Sequence, residues 1–175
     1  IQEWEKEIKK KRTVEHDTIE ASLFNLMGNT LDDPIYRHDH LPSIGTELPP
    51  GWHLAYFPPR CPESSLSKDG YEQDWKPPSP FDHRLWAGGQ VRWHPNNRLR
   101  VGQKVSMHSQ LRKVNYRPGG KRGDALFTWV DKTINNDDGW SVSESRCWVF
   151  VKDQEEGQEQ QQRMNEVKNG KDVLS

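Results

Sequence analysis

The spacing of apolar and polar positions changes period partway along the chain. Early on, "HDTIEASLFNLMGN" sets Ile19, Leu23 and Leu26 at helical spacing, with Asp17 placed to cap, Glu20 three residues on as in a capping box, and Gly28 as a stop. This predicts one amphipathic helix. Leu31 to Pro50 mixes Asp, Pro, Gly and His without periodicity and reads as loop. "PPGWHLAYFPP" then brackets Trp52, Leu54, Ala55, Tyr56 and Phe57 with prolines, which predicts a short buried helix or turn. A second loop covers Arg60 to Phe81.

After Gly88 the period becomes two. "QKVSMHSQLRKVNY" alternates Val105, Met107, Ser109 and Leu111 with polar residues, "PGGKRG" supplies a turn, and "DALFTWVDKTI" and "GWSVSESRCWVFV" are rich in strand formers around the turn "NNDDG". Three consecutive antiparallel strands follow, and a preceding strand at about Gln90 to His94 makes a sheet of at least four. The expected class is α+β, with one early helix and one buried helix against that sheet. Residues 1–12 form a polar basic extension and 13–151 the folded domain. Residues 152–175 contain "DQEEGQEQQQRMNEVKNGKD", too poor in apolar side chains for a core, and read as a linker or solvated tail.

Composition sharpens this picture. With 175 residues and 31% apolar content the chain fits one domain, and its eight Trp, five Phe and four Tyr call for a core of wide, flat side chains. The net charge of -1 conceals an asymmetry. From His83 to Gly123 the charged residues are Arg84, Arg92, Arg98, Arg100, Lys104, Arg112, Lys113, Arg117, Lys121 and Arg122, with no Asp or Glu, whereas the stretch from Asp131 to Asp172 is acidic. Cys61 and Cys147 lack the short paired spacings of a disulfide framework or zinc site, so a reducing compartment is expected. His40, His53, His94 and His108 stand without metal-ligand company, and no metal is assigned. Cys147, mid-strand between Arg146 and Trp148, reads as a packed thiol rather than a nucleophile. No apolar run approaches the roughly 20 residues that span a bilayer, so a soluble chain with no membrane partner is expected. The chain opens on Ile1 rather than Met, which suggests a trimmed piece of a longer protein, with room for a removed targeting sequence.

Several stretches together resemble a known family. "DTIEASLFNLMGNTLDD", "LPPGWHLAYFPP", "PPSPFDHRLWAGGQVRW", "LRVGQKV", "GGKRGDALFTWV" and "SVSESRCWVF" are similar to the N-terminal half of MaoC-like dehydratases and hydratases, in particular the mesaconyl-CoA hydratase and mitochondrial type 2 hydroxyacyl-thioester dehydratase group. The proline-rich run into Arg-x-Trp-Ala-Gly-Gly is the most specific piece. The resemblance implies a hot-dog fold, a curved antiparallel sheet wrapped around a helix to which "PPGWHLAYF" belongs, with Trp86 to Gln90 leading into the sheet. It also implies hydro-lyase chemistry on acyl thioesters in fatty acid metabolism, a mitochondrial or otherwise cytoplasmic location, and no cofactor beyond coenzyme A or acyl carrier protein as the substrate's carrier. Two departures stand out. The family's catalytic motif, Asp-x-Asn-Pro-x-His, is absent here. Asp33 and His38 share its separation but not its Asn-Pro, so no catalytic residue is assigned and the Asp/His dyad is expected outside this chain. Where relatives commonly have Arg-Arg-Met, this chain has His83-Arg84-Leu85.

Dehydrating a 3-hydroxyacyl thioester requires a base for the α-proton, an acid for the leaving hydroxyl, and donors for the thioester oxygen. Without the first two, this chain reads as a substrate-shaping half beside a catalytic hot-dog domain, or as one half of a homodimer joined through exposed sheet edges. The candidate substrate-binding residues are Arg84, Trp86, Gly88, Gly89, Arg92, Arg98 and Arg100. Arginines would meet the phosphates of coenzyme A or the acidic helices of acyl carrier protein, Trp86 would stand at a pocket wall, and Gly88-Gly89 would admit a close backbone or ligand. The plain alternative makes Trp86 core, Gly88-Gly89 a β-bulge, and Arg112 and Lys113 the solvent face of a sheet. A second function class is a non-catalytic hot-dog module of a larger assembly, with a ribonucleoprotein as one setting for its basic face; nucleic acid is otherwise not expected as a partner.

Overall fold

A computed structural model of the chain describes residues 1–37, 40–120 and 123–152. The elements run α1 (Gln2–Ile8), β1 (Arg12–Thr18), α2 (Ala21–Thr30), β2 (His83–Trp93), β3 (Lys104–Gly120), β4 (Gly123–Asn136) and β5 (Gly139–Val151). One antiparallel sheet holds all five strands in the order β1-β3-β4-β5-β2. This is the hot-dog arrangement, and the late meander of β3, β4 and β5 is the part that period-two alternation predicts. Val105, Met107, Ser109 and Leu111 are all buried, as their spacing requires.

The inner face of the sheet carries two apolar clusters. In the first, Phe24 of α2 and Trp52, Tyr56 and Phe57 of the proline-bracketed segment pack on Val105, Met107, Ile134 and Val142. Phe24 meets Tyr36 and Trp52 edge to face at 4.8 and 4.9 Å, contacts worth about 0.5–1.5 kcal/mol each beyond their buried area. In the second, Trp75 and Phe81 of the long loop cover Leu111, Leu126, Val130, Trp148 and Phe150, and Trp4 and Ile8 of α1 add to its edge. The helix therefore ties the first residues of the chain to the sheet, and β1 pairs along β3 from Arg12 onward.

Five local expectations are corrected. The early helix begins at Ala21, not after Asp17: Asp17 is a β1 residue whose carboxylate accepts from Thr18 N–H at 2.9 Å and Phe57 N–H at 2.7 Å, so it pins the proline-bracketed segment to the sheet. Glu20 precedes the helix without a side-chain capping bond. Gly28 does not stop α2 but lies inside it, where an added Cβ would stand 2.7 Å from the Tyr36 carbonyl oxygen; glycine is there for a close approach. The segment expected to belong to the wrapped helix supplies only one 3-10 turn, Trp52–Ala55, because Gly51 enters it at φ +91° and Tyr56 leaves it in extended backbone, with prolines on both sides. The strand expected at about Gln90 to His94 starts earlier, at His83.

The Gly-Gly step lies in that strand. The pairing of β2 with β5 shifts between Trp86 and Gly88, and Gly88 adopts φ +129°, so the bulge reading is the observed one. Gly89 has Ser145 O and the Trp86 ring where a Cβ would project, at 2.9 and 3.1 Å. Trp86 itself is not core: it is 64% exposed, on an edge strand.

Candidate functional site

Between the two apolar clusters the inner face turns polar. Ser109, Lys132 and Glu144 are directly opposed across β3, β4 and β5, so their side chains share one row of that face, and Arg146 follows Glu144 two residues along β5. Above this band lies the Trp52–Ala55 turn, which drops His53 onto Glu144: His53 Nε2 and Glu144 Oε1 are 2.7 Å apart, with His53 3% and Glu144 4% exposed. A carboxylate only accepts, so Nε2 carries the proton and Nδ1 is left a buried atom without a partner. Arg146 Nε donates to the other Glu144 oxygen. Burial alone would raise the Glu144 pKa, but the hydrogen bonds from His53 and Arg146 and their nearby charge prevail and hold it at about 2.

His53, Lys132, Glu144 and Arg146 floor a cavity of about 580 Å³, which Glu15, Glu72, Asp74 and Arg60 also line. Leu54 and Phe57 line it from the proline-bracketed segment, Trp75 from the long loop, and Met107 and Ile134 from the sheet. Lys132 also opens into it. Burial pushes its ammonium pKa down and the Arg146 charge adds to that, while Glu15, Glu144 and Glu72 act the other way.

Of the residues expected to bind substrate, the structure brings only some together. Arg84 lies opposite Phe150 in the β2–β5 pairing, and its guanidinium stacks over Tyr71 at 3.9 Å and Trp148 at 4.8 Å, on the inner side. Burial lowers its pKa against the opposing pull of Glu72. Gly88, Gly89 and Arg92 line a groove of about 600 Å³ on the outer face with Arg112, Arg117 and Trp129. Arg98 borders a small void beside Leu48 and Leu99, and Arg100 is bound to Glu47 and to the Gly45 carbonyl oxygen. Trp86 is exposed on the edge strand β2, its ring over Gly89. Asp33 accepts from the backbone of Ile35 and Tyr36, while His38 lies outside the described residues, as do Lys121, Arg122 and residues 153–175. Cys147 is buried, and burial raises its thiol pKa despite Arg112, Arg117 and Lys113.

His53, Lys132, Glu144 and Arg146 escaped the sequence reading as site residues. Period two did contain a signal: Val142, Glu144, Arg146, Trp148 and Phe150 fall on one face of a strand, so two charges stand among core residues.

The family model for hydroxyacyl-thioester dehydratase type 2 matches residues 51–173. Mesaconyl-C(4)-CoA hydratase of Chloroflexus aurantiacus is 33% identical over 111 residues, 62% of this chain and 39% of the hydratase. The mitochondrial hydroxyacyl-thioester dehydratase type 2 of Schizosaccharomyces pombe is 42% identical over 53 residues, 28% of this chain and 18% of that protein. The chain thus spans well under half the length of these curated relatives. Among solved structures, a chain of the ChsH1-ChsH2 complex from Mycobacterium tuberculosis superposes with a TM-score of 0.60 at 15% identity, over 87% of this chain and 92% of that one. The C-terminally truncated HadBC (3R-hydroxyacyl-ACP dehydratase) complex from the same organism gives 0.50 at 11% identity, over 79% and 96%. At these identities the two structures speak for the fold.

Proposed function

From the premise that this chain belongs to the hydroxyacyl-thioester dehydratase type 2 family, we propose that it is the substrate-shaping, non-catalytic half of a hydratase or dehydratase acting on 3-hydroxyacyl or enoyl thioesters. The observation that carries this reading is that no Asp-x-Asn-Pro-x-His occurs in the chain. Glu144 does not stand in for it: hydrogen bonds from His53 and Arg146 occupy both carboxylate oxygens and hold its pKa at about 2, so it stays an anion that orients His53. The His53–Glu144 pair lines a cavity walled by Leu54, Phe57, Trp75, Met107 and Ile134 together with Glu15, Glu72, Asp74 and Arg60, and in this reading the acyl end of the thioester occupies that cavity while an Asp-His pair on a partner hot-dog domain does the chemistry. HadBC, a structural neighbour, is itself a complex of dehydratase subunits, which favours a partner domain or a second copy here. The carrier is coenzyme A or acyl carrier protein, and the location is mitochondrial by extension from the Schizosaccharomyces pombe relative. No helix among the described residues is long and apolar enough to cross a membrane.

The test is crotonyl-CoA hydration by the chain alone and by the chain joined to a hot-dog domain that carries Asp-x-Asn-Pro-x-His. Hydration only in the joined protein is expected. Hydration by the chain alone overturns the non-catalytic assignment. The second reading, an interaction module, draws on the outer groove, where Arg112 and Arg117 flank the stacked Phe127 and Trp129. It predicts binding to a polyanion that weakens steeply with salt and no hydration with any partner domain.

A further inference from the structure

Lys132 stands mid-strand on β4, and its side chain lines the floor of the inner cavity near Arg146. Among the described residues its ammonium has no carboxylate oxygen within 4.0 Å, and its one hydrogen-bond contact is the Met107 sulfur at 3.8 Å. Acids do line the same cavity, but each serves another group or stands farther off. Glu144 takes His53 and Arg146, Asp74 pairs with Lys11 at 2.6 Å, Glu72 lies 3.9 Å from Arg84, and Glu15 is opposite Met107 on β1. Their combined pull does not offset desolvation and the Arg146 charge, which lower the Lys132 pKa from its ordinary value. Other lysines are placed differently. Lys9, Lys10, Lys11, Lys76 and Lys152 each have a carboxylate oxygen at 2.6–3.2 Å, and a partner of that kind holds the amine as ammonium. A lysine desolvated in a pocket next to another cation is instead the usual form of an amine nucleophile.

We propose that Lys132 is an acyl-acceptor site: its neutral Nζ attacks the carbonyl carbon of a thioester held in the cavity, a C–N bond forms as the C–S bond breaks, and the carrier leaves as a thiol with the proton that the amine gives up. The products are an acylated lysine and the free carrier thiol, so no oxidant, reductant or further reactant enters. The inference rests on the thioester reading above and goes beyond it, because the chain is covalently modified rather than occupied.

The test incubates the chain with butyryl-CoA near neutral pH and follows acylation lysine by lysine by peptide mass spectrometry, with the exposed Lys68 and Lys104 as internal references. Lys132 is expected to be acylated about tenfold or more faster than either reference, a modest share of what holding two reactants together supplies. In the urea-unfolded chain the difference should vanish, since it belongs to the fold. Acetic anhydride, which needs no carrier, reads the amine by itself in parallel. Butyryl transfer to Lys132 no faster than to the references, or a preference that persists in urea, overturns the inference. Where the transfer fails, the anhydride separates the causes. If it still singles out Lys132, the amine is reactive but no thioester is held in the cavity, and the thioester reading falls as well; if it does not, Lys132 is an ordinary amine and the thioester reading stands.

Discussion

Two charged surfaces lie back to back on one sheet, and they use the same residue types to opposite ends. The outer face sets Arg117 over Phe127 and Lys113 over Trp129, each at 4.9 Å, and Arg112 against Asp131 at 3.2 Å, the three cations being exposed. The inner band sets His53, Glu144, Lys132 and Arg146 beneath a turn and between two apolar clusters. Outside, each of these cations is hydrated whether or not it finds a partner, so partner choice is loose and worth little. Inside, a charge must be answered by another group, as Glu144 is by His53 and Arg146, while Lys132 among the described residues meets only the Met107 sulfur. Side-chain identity does not separate a solvated face from a buried polar band; desolvation does.

The comparison breaks most sharply at Glu144. Glu144→Gln leaves the buried His53 and the half-buried Arg146 against a neutral amide and is expected to destabilise the fold by about 2–3 kcal/mol, read by urea unfolding. Acid should act on the same group. Its pKa falls from 4.5 to about 2 on folding, so the stabilisation is complete above pH 4.5 and is lost as pH drops toward 2. The loss is worth about 3 kcal/mol and should be largely absent from the acid limb of Glu144→Gln, a difference that melting curves across that range would detect. On the outer face Arg117→Ala, which removes a cation from the Phe127 ring, should cost only about 0.5–1 kcal/mol by the same urea measurement. A cost there as large as that at Glu144 would mean that the outer groove is not the solvated surface it resembles.

How much of this was legible beforehand depended on whether the cause was local. The strands β3 to β5 were readable because one face is buried over a long run, so alternation shows in the sequence. By contrast, β1, "RTVEHDT", is a short edge strand with a half-buried face, and its polar letters left Asp17 looking like a helix cap. Its real partner, the Phe57 amide, is 40 residues away. Gly28 looked like a helix stop because its reason, the approach of Tyr36, comes from another segment. The substrate-site expectation leaned on arginines by sequence proximity, and the sheet sends Arg84 inward and Arg92 outward from one strand. The His53–Glu144 pair joins residues 91 apart, and only the presence of Glu144 and Arg146 on a core-facing period hinted at it.

The polar row that divides the inner face also defines an evolutionary choice. Substituting Leu or Met for His53, Lys132, Glu144 and Arg146 together would join the two clusters into one continuous core, and replacing a whole buried ionic group by well-packed apolar side chains is often neutral or stabilising. Such a variant should melt at or above the temperature of the unsubstituted chain; a clearly lower melting point would mean that the polar row itself holds the two halves of the core together.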